Sequence, residues 1–187
     1  MRGYARREFQ LTLLRRMADL QPDLVDAARE EMRASHMEYM AAFNRWQAMQ
    51  FSRRAPSGMR LYRAVLGPAE DEHREAWGDL VVTVSHWPLP ALWPDLRWQT
   101  YSDERGAVLN GWLVRAPGSP VPALPEPARL APWSCVVGDV TARYPAARQA
   151  ESDTPSRWLA EVVDGRGRSW RLTFVYGLLH TTGPVAD

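Results

Sequence analysis

The chain of 187 residues contains no lysine, and all 23 of its basic residues are arginine. Arginine's planar fork suits bidentate contacts with phosphate or carboxylate. The accompanying abundance of alanine and proline is equally what GC-rich coding produces. Cysteine is nearly absent too. Cys135 is alone, which excludes an internal disulfide and fits a reducing, cytoplasmic compartment. No stretch approaches the roughly 18 consecutive apolar residues of a spanning helix, so no membrane partner is expected. Arg2, Arg6 and Arg7 near the start are not followed by an apolar h-region, so no secretory signal is expected. Missing as well are a His-Glu-x-x-His pair, a cysteine cluster, a Walker loop, a Gly-x-Ser-x-Gly elbow and a dinucleotide fingerprint. No cofactor and no metal are expected, and the balance leans away from an enzyme.

What is present is an ordinary globular composition, 45% apolar and 24% charged, unevenly arranged. Residues 1–63 hold 12 arginines against seven acids, whereas residues 64–128 hold four against nine. That asymmetry permits an anionic partner for the first third, or its docking on the acidic middle.

The first third reads as helix. Phe9, Leu13, Met17 and Leu20 recur at helical spacing, with Arg6, Arg7, Arg15 and Arg16 on the opposite side. Gln21-Pro22-Asp23 ends that helix, and Pro22 suits the first turn of the next. A second helix of some thirty residues is predicted over 22–51. In it Val25, Met32, Tyr39 and Trp46 form a seven-residue seam, with Ala28, Ser35, Ala42 and Met49 three positions later. The seam is longer than the first helix can cover, so Met32, Tyr39, Phe43 and Trp46 become candidate contacts for the β region or for another copy of the chain.

After a loop carrying Arg53 and Arg54, residues 59–66 are ambiguous between helix and strand. Residues 69–77 read as a short helix, because Glu70, Asp71 and Glu72 would complement the positive end of its dipole. Past Asp79 the period becomes two. Leu80–Trp87 is a central strand candidate with both faces apolar, and a hairpin follows over 97–115. Residues 116–132 are a proline-rich spacer. Trp133–Tyr144 reads as a strand bulged at Gly138-Asp139. The last hairpin is the clearest local signal. A Gly165-Arg166-Gly167 loop sets Trp158, Ala160 and Val162 against Phe174, Leu172 and Trp170, and Glu161 against Arg171.

The expected fold class is therefore α+β: an N-terminal helical hairpin with one long helix, then an antiparallel sheet or small barrel of about six strands. Residues 1–66 would form the helical region and 67–187 the β region, in one continuous folded unit.

Glu70 and His73 have the three-residue spacing of carboxylate-bridged metal bundles, but a single such pair on a short helix is better read as a solvated helix start. His86, with Asp79, Asp139 or Cys135, is the candidate for a small hydrolase or transferase. Arginine beside aromatics is the chemistry of phosphate neutralisation and base stacking. The leading functional expectation is a non-enzymatic nucleic-acid-binding protein, DNA first. Its contacts would be Arg6, Arg7, Arg15, Arg16, Arg53, Arg54 and Arg143, together with Arg166 and Arg168 at the last hairpin tip. The alternative is an assembly component that self-associates, or docks on a larger complex, through the helical seam.

Overall fold

A computed structural model describes residues 5–150, 152 and 154–185; Arg2 lies outside them. The fold is α+β with two antiparallel sheets of four strands, each a simple meander preceded by helix. Two compact units divide at residues 109/110. Helical spacing before Gly67 gives way to two-residue alternation past Asp79, and the first compact unit takes in residues on both sides of that change. No helix among the described residues is long and apolar enough to cross a membrane.

In the first unit α1 (Arg6–Met17) is followed by α2 (Pro22–Glu31), α3 (His36–Phe51) and α4 (Met59–Leu66). α1 is more deeply placed than an amphipathic reading requires: every residue from Phe9 to Leu14 is buried. Its buried polar groups are answered locally. Gln10 Nε2 donates to Arg6 O at 3.1 Å, Gln10 Oε1 accepts from Leu92 N at 3.0 Å, and Thr12 Oγ1 donates to Glu8 O at 3.1 Å.

The single long helix expected over 22–51 is corrected to two. Arg33 has φ +50°, and Ser35 caps α3 by accepting from Glu38 N while the Glu38 carboxylate takes Ser35 N. The freed carbonyls at the end of α2 are taken by guanidinium groups. Arg7 donates to Met32 O at 3.1 Å, and Arg29 donates to Ala34 O at 3.0 Å. The ambiguous segment 59–66 is helical as α4, whose last carbonyl, Leu66 O, accepts from Arg6 Nε at 2.7 Å.

The seam of α2 and α3 is covered within this unit. Met32, Tyr39 and Trp46 are buried, and Phe43 is half-buried beneath the Arg15 guanidinium. The core there is aromatic. Phe9 meets Trp46 and Trp98 edge-on at 5.2 Å each, and Tyr62 stacks between Trp87 and Trp98. Trp87 and Trp98 are direct cross-strand partners of β2 (Leu80–Leu89) and β3 (Trp93–Ser102). Trp87 Nε1 is satisfied by Gly67 O at 3.0 Å. The ladder shifts register at Pro88/Leu89, where proline's missing N–H is tolerated at a bulge.

Residues 69–77 are not a helix. Asp71–Trp77 forms β1, an edge strand paired to β2 with Asp71 opposite His86 and Trp77 opposite Leu80. All seven of its side chains are exposed, so no apolar alternation marked it. The acids here are used in pairing rather than at a helix dipole: Glu72 of the strand receives Arg63 and Ser85, and Glu70 just before it receives Arg97. Charged edges of this kind also resist unwanted strand addition. The first sheet ends with β4 (Val108–Arg115), within which the two units divide.

In the second unit the proline-rich spacer is irregular apart from a short 3-10 turn at Pro127–Arg129. Trp133–Tyr144 is not a bulged strand. It contains α5 (Val137–Arg143), because Val136, Val140 and Tyr144 also fit helical spacing and Asp139 caps the turn by accepting Val136 N at 3.0 Å. Asp139 is held in turn by Arg115, at 2.6 and 3.3 Å. The second sheet runs β5 (Arg148–Ala150), β6 (Arg157–Val163), β7 (Ser169–Val175) and β8 (Leu178–Pro184).

The last hairpin has the expected register: Trp158 opposite Phe174, Ala160 opposite Leu172, Val162 opposite Trp170 and Glu161 opposite Arg171. Gly167 takes φ +80°, and Asp164 N donates to Arg168 O. The Asp164 carboxylate accepts from the N–H groups of Arg166 and Arg168, from Arg168 Nε and from the Trp170 indole. Those donors, the indole first, hold it well below the usual carboxylate range.

Candidate functional site

A groove of about 530 Å³ opens in the second unit, a volume within the range of small-ligand sites. Asn110 and Trp112 come from β4, Gln149 and Ala150 from β5, and Arg157 and Trp158 from the start of β6. Ser152, Thr154 and Pro155 of the β5–β6 connection form the remaining wall. The pairing of Gln149 with Ala160 and of Ala150 with Leu159 brings β5 alongside β6, so its amide side chain and the Trp158 indole serve one site.

Both indoles are half-buried. Trp158 packs against Phe174 at 5.8 Å with its planes tilted by 54°, so core packing sets its orientation while part of the ring stays accessible. The backbone beside Trp112 is set by Gly177, at φ +80°. A side chain there would lie 2.5 Å from Leu113 O and 3.1 Å from the Trp112 Cβ. The described lining has aromatic planes, neutral amides and hydroxyls and one guanidinium, and includes no carboxylate. Such a surface can stack a flat ring, hydrogen-bond its edge and offer one cation to an anion.

The arginines singled out in the sequence lie elsewhere; none of the nine lines this groove. Arg6 and Arg7 serve the ends of α4 and α2, and Arg7 also approaches Glu38 at 3.8 Å. Arg15 pairs with Asp19 and covers Phe43, and Arg16 donates to Gln50 Oε1 at 3.2 Å. Arg53 and Arg54 are exposed in the α3–α4 loop. Arg143 lies over Tyr144 at 5.1 Å. At the hairpin tip Arg166 is exposed, while Arg168 is engaged by Asp164 and by the Trp170 ring. Of the seam residues, Met32, Tyr39 and Trp46 are core and offer no docking surface.

Of the elements of a Cys/His enzyme, Cys135 is inert, and Asp139 and His86 have other partners. Cys135 is buried, and burial pushes its thiol up to about 11, so it stays protonated and inert. Asp139 is taken by Arg115 and the α5 cap. His86 faces Asp71, its cross-strand partner. Trp112 and Gln149 carry no site signal in the sequence, because the groove draws on three separate segments, whereas Arg157-Trp158 is legible there as an arginine beside an aromatic.

His180 on β8 was also unmarked. It is fully buried beside Trp133, and burial, followed by the charge of Arg157, lowers its pKa to about 4. The imidazole is therefore neutral in the folded chain at neutral pH. Between about pH 6.5 and about 4 the unfolded chain binds a proton that the folded chain does not. Stability should therefore fall with acidification across that window, by on the order of 3 kcal/mol from this group. Urea midpoints measured in steps from pH 7 to pH 4.5 check this: His180→Phe should flatten the profile, and an unchanged slope refutes the assignment.

No protein-family model matches the chain, and no curated protein matches it. Among solved structures, the crystal structure of a proposed beta-lactamase inhibitor protein from Streptococcus mutans aligns over 81% of this chain and 97% of its own, at 9% identity and a TM-score of 0.32. At that score the likeness carries no argument about fold or function.

Proposed function

We propose that this chain is a non-enzymatic, cytoplasmic binding protein that takes a short single-stranded segment of nucleic acid in the groove of its second unit. The observation that carries this reading is the meeting of two half-buried indoles, Trp112 and Trp158, with the Arg157 guanidinium in one concave site. Base stacking on aromatic rings contributes about 1–3 kcal/mol per base and tolerates any sequence. A duplex keeps its bases stacked and offers no free ring face to the indoles, so a single strand is the fitting form. Asn110 and Gln149 supply donors and acceptors for base edges, and Arg157 suits one phosphate. The buried lone thiol of Cys135 fits the reducing compartment.

With few cations at the site, affinity should depend weakly on salt, at about 0.7 of a logarithmic unit per neutralised phosphate. Fluorescence polarisation of a labelled single-stranded oligonucleotide and its duplex, at low and raised salt, provides the test. The expected result is a preference for the single strand, with a loss of about 5-fold to 100-fold in Trp158→Ala or Trp112→Ala. Absence of binding at low salt rejects the reading, as does a duplex preference or an unchanged affinity in both tryptophan variants.

A further inference from the structure

The first unit carries a second constellation, on the β1–β2 ladder. Asp71 and His86 are directly opposed across the strands, so their side chains project from the same face of the sheet. His73 lies two residues along β1 and therefore shares that face. Asp71 Oδ2 is 3.1 Å from His73 Nδ1 and 3.3 Å from His86 Nδ1, and one ligand atom from each of the three residues lies within 4.8 Å of the others. The two imidazole rings stand 5.9 Å apart, inclined by only 22°.

We propose that Asp71, His73 and His86 form a binding site for a zinc-like divalent transition-metal ion, with Glu75 positioning His73.

The distances fit the chemistry. A tetrahedral ion with bonds of about 2.0–2.1 Å separates its ligand atoms by about 3.4 Å, close to both Asp71–histidine spacings, and the looser third edge needs only a small rotation of the exposed His73 ring, His86 being half-buried. Two imidazoles and one carboxylate suit zinc, cobalt, nickel or copper rather than calcium or magnesium, which demand more oxygen ligands. The surroundings of His73 add an independent observation. Its Nδ1 faces Asp71 while its Nε2 lies 3.1 Å from Glu75 Oε1. A ligating histidine characteristically donates its remote N–H to a carboxylate, which fixes the tautomer and strengthens the ligand. Glu75 is itself braced, its other oxygen accepting from the Trp77 indole at 3.3 Å.

The neighbouring acids are employed differently. Glu70 and Glu72 take arginines, whereas Asp71 and Glu75 take imidazoles. The cluster therefore differs from the rest of this acidic edge in its partners as well as its composition. An ion can reach it from solvent, since the side chains of Asp71 and His73 are 61% and 46% exposed. Three protein ligands leave a fourth position for water or for an atom of a binding partner.

The site can be tested on the untagged full chain by titration with zinc ion against a chromophoric chelator, and with cobalt ion, whose visible absorption reports its coordination. The expected result is one saturable zinc ion per chain, lost by 100-fold or more in His73→Ala and in His86→Ala. His36→Ala, at an exposed histidine on α3, should bind zinc as the parent does. His73 and His36 are exposed and His86 is half-buried, and circular dichroism checks that each variant is folded. Glu75→Gln should weaken zinc about 10-fold to 100-fold while leaving the cobalt spectrum in place; an unchanged affinity overturns its positioning role. No saturable binding, or binding untouched by both histidine substitutions, overturns the site and leaves an ion-pair network only.

Discussion

Replacing Trp46 by alanine should destabilise the first unit by about 3–5 kcal/mol, the cost of emptying a large, fully packed aromatic site. Only 1% of Trp46 is exposed, and its ring meets Phe9 at 5.2 Å and Tyr62 at 5.6 Å, both edge-on. Those two rings lead on to Trp98 and Trp87, so the void opens where α1, α3, α4 and the first sheet converge. Little can move to fill it, because the surrounding groups are rigid rings and the α1 backbone. Urea unfolding followed by near-ultraviolet circular dichroism gives the measurement. The half-buried Phe43 on the same helix should cost far less when truncated. A seam covered by another copy of the chain leads to a different result, a change of oligomeric state with stability retained. Light scattering alongside the unfolding curves separates the two, and a stable Trp46→Ala variant of altered mass would overturn the burial described above.

The second large effect is expected at Gly58, which opens α4 with φ +56°. A Cβ on this residue would lie 2.2 Å from Gly106 O and 3.2 Å from the Gly106 carbonyl carbon. The obstacle is backbone, held there because Met59 N donates to that same Gly106 O at 2.9 Å. Gly58→Ala must therefore break this hydrogen bond or displace the β3–β4 turn, in addition to straining its own dihedral angle. The two penalties together come to about 3–5 kcal/mol. Gly78 isolates the dihedral contribution, since it has φ +61° with nothing within 4 Å of the added carbon. Gly78→Ala should cost only about 1–2 kcal/mol. Equal losses at the two glycines would show that the close approach of Gly58 to Gly106 is not what constrains the loop.

These two sites differ in how far they could be foreseen. The apolar character of Trp46 and its place in a helical repeat are plain in the sequence, but the partner that covers it is not. The repeat continues through Met32 and Ser35, and it outweighed the short Ser35-His36-Met37-Glu38 signature that ends one helix and starts another. That signature was present to be read. β1 was not, because a strand exposed along its whole length carries no apolar alternation and its acids mimic a helix start. Val136, Val140 and Tyr144 fit either period, and a segment so short leaves the choice to its capping carboxylate, Asp139.

The sequence by itself determined the last hairpin completely: a glycine suited to a positive φ, alternating side chains and one opposite-charge pair allow a single register, because slipping by one residue reverses every face. It also determined the α+β class, through the change from helical spacing before Gly67 to a two-residue period past Asp79. Tertiary structure alone decided which side chains meet. The β1–β2 register sets His86 beside Asp71 and His73, and pairing of β5 with β6 joins Gln149 to Trp158 in the groove. Periodicity reports on each segment's own backbone, whereas a site depends on distances between segments, and those follow only from long-range pairing and packing.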